Sequence, residues 1–182
     1  MILKNSFLVV ILFAVHGMVA QSVNWLTWQE VDKKMEEDPK KVLVELFKEP
    51  CGSCETLDNK ILNAKKNAQY MNRFFYSVRF DVNSKENVRI NDKIYKSTLT
   101  GEHELVRALT NGNSSLPMLV FVDESFRVIQ VLPGSQDPNK FYHILEYFGG
   151  NHYNSIPWSR FMCRKTSSEG EKNKHGHFTN DN

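Results

Sequence analysis

The sequence predicts an α/β fold in which helices cover both faces of a mixed central sheet. Apolar segments of strand length alternate with segments of helical periodicity along much of the chain, which is typical of a sheet with parallel strands. Two strand segments then follow one another across a tight turn, which adds an antiparallel part to the same sheet. A chain of 182 residues is long enough for one such domain with a sizeable core.

The first twenty residues have the pattern of a secretory signal peptide. Lys4 supplies a positive charge, an apolar stretch runs from Phe7 to Val15, and Ala20 offers a small residue for cleavage. The stretch is short for a membrane span, and no later segment is apolar enough for one. We therefore expect an exported protein, periplasmic or extracellular, that is soluble after removal of residues 1–20.

The first helix of the mature chain begins at a capping box. Thr27 and Glu30 have the spacing of that motif, and Leu26 with Val31 fits the hydrophobic staple that accompanies it. Pro39 ends the helix, because a proline cannot continue it.

The next segments alternate between strand and helix. Residues 42–47 are mostly apolar and predict a central strand, since strands buried on both faces have near-continuous apolar runs. Apolar residues recur at helical spacing from Leu57 and continue loosely to Phe74. Residues 76–82 predict a second strand, and two short runs around Asn91-Asp92-Lys93 predict a small hairpin insertion.

The second half of the domain continues this pattern. Residues 102–110 predict a helix, and residues 118–122 and 127–132 predict two strands joined by a tight turn. Asp137 and Pro138 have the spacing of a helix cap followed by a first-turn proline.

The pattern weakens at Gly149-Gly150, so we place one domain over residues 21–150. A C-terminal extension follows over residues 151–164, in which Pro157 to Cys163 is compatible with a short helix. Residues 165–182 are polar without apolar periodicity, and we expect them to be disordered.

Three cysteines are present. Cys51 and Cys54 form a C-x-x-C between the predicted central strand and its following helix, whereas Cys163 stands alone. A secreted chain held together by disulfides would carry more cysteines in even number. At a helix start, unpaired N–H groups and the helix dipole favour the thiolate of the first cysteine. The pair therefore predicts thiol–disulfide exchange rather than a structural bridge, and we expect Cys163 to be a buried bystander.

The sequence gives little indication that the protein binds nucleic acid, an anionic membrane or a metal ion. The net charge is +2, and no basic block is long enough for nucleic acid or an anionic membrane. A zinc site would need a second pair of ligands beside the cysteines. His152, His175 and His177 lie on weakly patterned segments, so we expect no metal site.

The order of elements around the C-x-x-C resembles the thioredoxin fold. More narrowly, residues 23–28, 101–105 and 134–138 resemble exported thioredoxin-like proteins of Bacteroidetes-type bacteria. The resemblance extends to about Phe161. It implies a thioredoxin-type sheet with a small hairpin insertion and a C-terminal extension, and we expect a monomer.

The resemblance also implies roles for five residues. Cys51 matches the exposed nucleophile and Cys54 the buried resolving thiol. Glu45 matches a buried acid that moves a proton to or from the resolving thiol. Pro117 matches a cis-proline opposite the dithiol, where the backbone of Leu116 would bind an extended substrate.

Alternation along the strand is consistent with burial of Glu45. Leu43, Glu45 and Phe47 share one strand face, so the carboxyl has apolar neighbours and we expect a raised pKa. The alternative is an edge position that faces solvent.

Three features depart from the family pattern. Pro50 stands before the first cysteine where an aromatic residue is usual, and Gly52-Ser53 is an uncommon dipeptide between the cysteines. A lysine that some thioredoxins place near the buried acid has no evident counterpart, since Ser77 occupies the aligned position.

These features predict an exported thiol–disulfide oxidoreductase that acts on cysteines of other exported proteins. No cofactor is required, because the two sulfurs hold the electrons, and a membrane or periplasmic redox partner would recycle the dithiol. Reduction, isomerisation and oxidation are all open directions. The alternative is a non-enzymatic binding module of thioredoxin fold that holds clients by the Pro117 face, with a vestigial dithiol.

Overall fold

A computed structural model describes residues 22–99, 101–112, 115–134 and 136–175 of the chain. The predicted leader, residues 1–20, and the end of the predicted tail, residues 176–182, lie outside the described residues. The helices are α1 (Trp28–Glu37), α2 (Gly52–Leu57), α3 (Lys65–Phe74), α4 (Glu104–Thr110), α5 (Pro138–Gly149) and α6 (Trp158–His175), with a π-helical turn at Asp58–Leu62 and a 3-10 turn at His152–Asn154. The strands are β1 (Trp25–Leu26), β2 (Lys41–Phe47), β3 (Phe75–Asp81), β4 (Val88–Ile90), β5 (Lys93–Tyr95), β6 (Met118–Val122) and β7 (Val128–Pro133).

The predicted mixed sheet is confirmed. Five strands pair in the order β1-β3-β2-β6-β7, with β1, β3 and β2 parallel and β6 and β7 antiparallel. The central strand is β2, which is flanked on both sides and buried over nearly its whole length. β4 and β5 form the separate hairpin that the sequence predicts.

Two apolar cores lie on opposite faces of the sheet. Residues alternate between them along β2, so Leu43 packs with α2, α3 and α5, whereas Val42 and Val44 pack with α1, α4 and the hairpin. Glu45 has the same parity as Leu43 and therefore points to the side that carries α2.

The helix predicted to run loosely from Leu57 to Phe74 is interrupted. After α2 the helical backbone continues as the π-helical turn at Asp58–Leu62, and it stops being helical before α3 begins at Lys65. Asn67, which is buried, stabilises this break because its Nδ2 donates to the Ile61 carbonyl at 2.8 Å and to the Pro138 carbonyl at 3.2 Å. The amide thereby ties the helical layer near the dithiol to the start of α5.

The expectation of disorder from Lys165 onward is wrong for residues 165–175, because α6 continues to His175. Lys165 Nζ lies 2.8 Å from Glu146 on α5 and attaches the helix to the domain. The hydroxyls of Thr166 and Ser167 donate to carbonyls one turn back. Polar helix formers can therefore extend this helix although they lack an apolar stripe.

The expectation for Cys163 is also corrected. This cysteine lies on α6 as an exposed free thiol, not as a buried bystander. Within the described part of the chain, no helix combines the length and the hydropathy that a membrane span needs.

Candidate active site

The two cysteines of the C-x-x-C lie at the start of α2, the helix that follows the central strand β2. Cys51 is the N-cap of α2, and its Sγ accepts a hydrogen bond from the Cys54 N–H at 3.1 Å. The Ser53 hydroxyl lies 3.4 Å from the same sulfur. Cys51 and Cys54 are joined by a disulfide, so the structure shows the oxidised form.

The two sulfurs differ in accessibility. Cys51 is half-buried, whereas Cys54 is only 1% exposed. A protein substrate can therefore approach Cys51 but not Cys54. The predicted roles require this difference, because a nucleophile must be accessible to the substrate and a resolving thiol need not be.

The segment around Pro117 forms the opposite wall of the site. Met118 pairs with Leu46 near the end of β2, which places Pro117 beside the chain that leads to Cys51. The Leu116–Pro117 peptide bond is cis, as the resemblance implies. A second cis bond, Glu49–Pro50, directly precedes Cys51 and is not predicted by the sequence.

A glycine allows the end of β7 to approach this wall. The Gly134 N–H donates to the Pro117 carbonyl at 2.8 Å. A Cβ at Gly134 would lie 2.7 Å from Pro117 Cγ and 3.0 Å from a methyl of Leu57. Any larger residue would therefore displace the proline from the dithiol helix.

A groove of about 330 Å³ separates α2 from the Pro117 segment. Its walls are largely apolar, with a lysine at one side. The lining residues are Ser53, Thr56, Leu57, Lys60, Ile61, Pro117, Gly134, Gln136 and Pro138. Pro117 thus shares a concave surface with the helix that carries both cysteines, whereas Leu116 does not line it and packs instead toward the opposite core.

Glu45 is fully buried in the sheet beneath α2, which confirms the predicted burial. Its neighbours in the strand register are Arg79 on β3 and Leu119 on β6. Arg79 Nε lies 3.1 Å from Glu45 Oε2, but the N–H is not aligned for a hydrogen bond. Within the described residues, neither Glu45 oxygen accepts a hydrogen bond from another N–H or O–H group.

Asp58 is the third member of this buried group. It belongs to the π-helical turn, and its Oδ2 lies 2.9 Å from Arg79 Nη2. Its N–H donates to the Cys54 carbonyl, so Asp58 and Cys54 share one face of the helix. One guanidinium therefore contacts two carboxyls, and one of them belongs to the residue that follows Cys54 by one helical turn.

Burial raises the pKa of Glu45 to about 8, the negative charge of Asp58 adds to this shift, and Arg79 opposes it. Burial also raises the pKa of Asp58, again opposed by Arg79. With one proton on the two carboxyls, their remaining negative charge is balanced by the guanidinium. The raised pKa of Glu45 favours its protonated form at neutral pH in the oxidised protein.

A cation, Arg79, lies beside the acid although no lysine occupies the aligned position. Ser77, which was aligned with the family's lysine, pairs with Leu43 instead. Arg79, two residues further along β3, stands opposite Glu45 and also lies over the Phe47 ring at 4.4 Å. The parallel register between β2 and β3, which the sequence alone does not specify, decides this placement.

The described residues contain no group of three or more histidine, cysteine, aspartate or glutamate side chains positioned to hold a metal ion. His152 packs against the Phe161 ring at 5.0 Å. The side chain of His175 and the whole of His177 lie outside the described residues.

The model of the thioredoxin-like domain family matches residues 28–149, which is more than half of the chain. The chain belongs to the thioredoxin-like family. The matched span runs from the start of α1 to the end of α5 and contains the dithiol, the buried acid and Pro117. No curated protein matches this sequence significantly.

Solved structures share the thioredoxin-like fold over most of their length. DsbH oxidoreductase is 13% identical, with a TM-score of 0.54 over 77% of this chain and 93% of that chain. A thioredoxin-fold protein from Helicobacter pylori is 18% identical, with a TM-score of 0.55 over 77% and 94%. A candidate disulphide isomerase from Bacteroides thetaiotaomicron is 21% identical, with a TM-score of 0.54 over 76% and 98%. At these identities the likeness establishes the fold.

The thioredoxin-like fold and its C-x-x-C together support a thiol–disulfide redox role for this protein. The fold places the pair at the end of its central strand. Of the two sulfurs, only that of Cys51 is accessible to a macromolecule.

The raised pKa of Glu45 makes the stability of the oxidised protein depend on pH. The pKa is about 8 in the folded state against an ordinary value of 4.5. Between these values the folded state keeps a proton that the unfolded state has released, so stability falls as pH rises, by at most about 1.4 kcal/mol per pH unit for one proton. Glu45→Gln has no such proton to lose. Its stability relative to wild type should therefore increase from about pH 5 to about pH 8.

Urea unfolding of the oxidised proteins at several pH values measures this difference. Glu55→Gln is the matched control, because Glu55 is an exposed acid on the same helical segment. Parallel pH profiles for Glu45→Gln and wild type would contradict the raised pKa.

Proposed function

We propose that this thioredoxin-like protein is an exported thiol–disulfide oxidoreductase that acts on cysteines of other exported proteins. The observation that carries the proposal is the pairing of an accessible Cys51 with a buried Cys54 above a buried acid. The signal-peptide pattern of residues 1–20 supports export. The two sulfurs store the electrons, so the reaction needs no cofactor.

The first step of the proposed reaction takes place at Cys51. In the reduced protein, its thiolate attacks one sulfur of a client disulfide. The client S–S bond breaks, a bond between Cys51 and the client forms, and the departing client thiolate takes a proton from solvent. The helix N-terminus favours the attacking thiolate, because N–H groups such as that of Cys54 point at the sulfur.

The second step takes place at Cys54. Its thiol gives a proton to the Glu45 carboxylate, and the resulting thiolate attacks Cys51 Sγ. The mixed disulfide breaks, the Cys51–Cys54 disulfide forms, and the client leaves with both electrons. A dithiol of a membrane or periplasmic partner would then reduce the protein again, and the same steps in reverse would oxidise a client.

The ionisation of Glu45 fits this second step. Its pKa of about 8 in the oxidised form means that the acid is protonated at neutral pH once the disulfide has closed. That is the state that follows proton transfer from Cys54. A carboxyl with a pKa near the working pH can both accept and return a proton.

The groove beside Pro117 supports binding of an extended client segment. Its apolar walls lie between the Pro117 segment and α2, the helix that Cys51 caps. The backbone of Leu116 would pair with that chain as an added strand, and such pairing gives affinity with little dependence on side-chain sequence. The proposed clients are therefore varied in sequence and share a cysteine in an extended segment.

Replacement of either cysteine of the pair tests the proposed function. Cys51→Ser should abolish reduction of insulin disulfides, because no accessible nucleophile of the pair remains. Cys54→Ser should accumulate a mixed disulfide at Cys51 that is visible on a non-reducing gel. Cys163→Ser, which removes the exposed free thiol, should keep wild-type activity. Activity in Cys51→Ser would contradict the assignment of Cys51 as nucleophile. An inert wild type that still binds unfolded clients would favour the binding-module alternative.

Replacement of the buried acid tests its role in the second step. Glu45→Gln keeps the shape of the side chain but cannot accept the Cys54 proton. Release of the mixed disulfide should slow by about 10²-fold or more, as for loss of a general base. Rapid-quench kinetics with a labelled peptide disulfide would show this as accumulation of the mixed disulfide. A release rate equal to wild type from about pH 5 to about pH 9 would exclude this proton transfer.

A further inference from the structure

Burial of Glu45 creates a problem for proton transfer. Its side chain has no exposed surface, so a proton received from Cys54 cannot pass directly to bulk water. Turnover nevertheless requires that the proton leave before the acid can act again. A neighbouring group must connect Glu45 with solvent.

Two charged groups act on Glu45, and only one of them can carry a proton. Arg79 is 32% exposed, but a guanidinium does not give up its proton in a protein. Asp58 is a carboxyl whose side chain is 15% exposed. The β6 neighbour of Glu45 is Leu119, which has no ionisable group. Asp58 is therefore the group in contact with this buried cluster that can both take up a proton and reach water.

The position of Asp58 suits such a connection. Its Oδ1 is buried and has no hydrogen-bond partner within the described part of the chain, whereas its Oδ2 contacts Arg79. Arg79 contacts Glu45 and Asp58 through different nitrogens, so it fixes the two carboxyls relative to each other. Asp58 also follows Cys54 by one helical turn, which keeps the carboxyl close to the resolving thiol.

We propose that Asp58 is a second proton carrier of this site, which passes the proton of Cys54 from Glu45 to solvent. The inference rests on the proposed function. The proton moves from the Cys54 thiol to the Glu45 carboxylate, from the Glu45 carboxyl to the Asp58 carboxylate, and from Asp58 to water. No electrons move in these transfers. Arg79 keeps the charge of the cluster balanced while one proton occupies either carboxyl.

Asp58→Asn tests the proposal, because asparagine keeps the shape but cannot carry the proton. Turnover with client disulfide and reductant in excess should slow by about tenfold near neutral pH, because a proton that stays on Glu45 prevents the next deprotonation of Cys54. Attack by Cys51, measured separately as formation of the mixed disulfide in the Cys54→Ser background, should change by less than about twofold. Asp58→Glu retains a carboxyl and should keep most of the wild-type turnover rate. Glu55→Gln, an exposed acid-to-amide change on the same helical segment, should leave both steps unchanged.

A double-mutant cycle separates a relay from a general structural effect. If Asp58 acts through Glu45, Asp58→Asn should slow turnover by less than about twofold when Glu45 is already glutamine. Multiplicative effects of the two changes on turnover would overturn the proposal, as would a slowing of the Cys51 attack as large as that of turnover. An Asp58→Asn turnover rate equal to wild type would also overturn it while leaving the proposed function intact. A wild-type protein that reduces no client disulfide would instead overturn the proposed function itself.

Discussion

Burial of one carboxyl in the centre of the sheet is the constraint on which the candidate site depends. An ionised Glu45 without compensation would be costly, because charges are strongly disfavoured away from water. The protein offsets this cost with Arg79 on the adjacent parallel strand and with a raised pKa of about 8 that keeps the acid protonated at neutral pH. The same arrangement gives a group that can exchange a proton near neutral pH. One cluster of side chains therefore contributes to stability and would also serve the proposed proton transfer.

The topology brings this cluster and the dithiol together. Because β2 is central, its side chains are buried. A short connection follows β2 and leads to α2, where Cys51 is the N-cap and Cys54 is buried. The antiparallel pairing of β6 with β2 places Pro117 next to the same end. One end of one strand thus positions an accessible sulfur, a buried sulfur and the Pro117 wall of the groove beside them.

Local sequence signals predicted much of this structure. The capping box of Thr27 and Glu30 forms as its spacing indicates, and Asp137 caps α5. The burial of Glu45 followed from alternation along an apolar strand.

The sequence did not predict the contacts that depend on how strands and helices pair in the folded protein. Arg79 reaches Glu45 only through the pairing of β2 with β3, and Asp58 reaches the cluster from a π-helical turn. The spacing of Asp58 four residues after Cys54 was the one available signal for it. The two-residue strand β1 is too short to give a periodic pattern, and α6 lacks an apolar stripe.

Carbon-13 NMR of the Glu45 side-chain carboxyl in the oxidised protein measures the pKa on which the proposed proton transfer depends. A buried acid coupled to Asp58 and Arg79 should show its main chemical-shift transition near pH 8. The transition should move to lower pH in Asp58→Asn, because the negative charge that raises the pKa of Glu45 is then absent. A single transition near the ordinary value of 4.5, unchanged in Asp58→Asn, would contradict both the raised pKa of Glu45 and its coupling to Asp58.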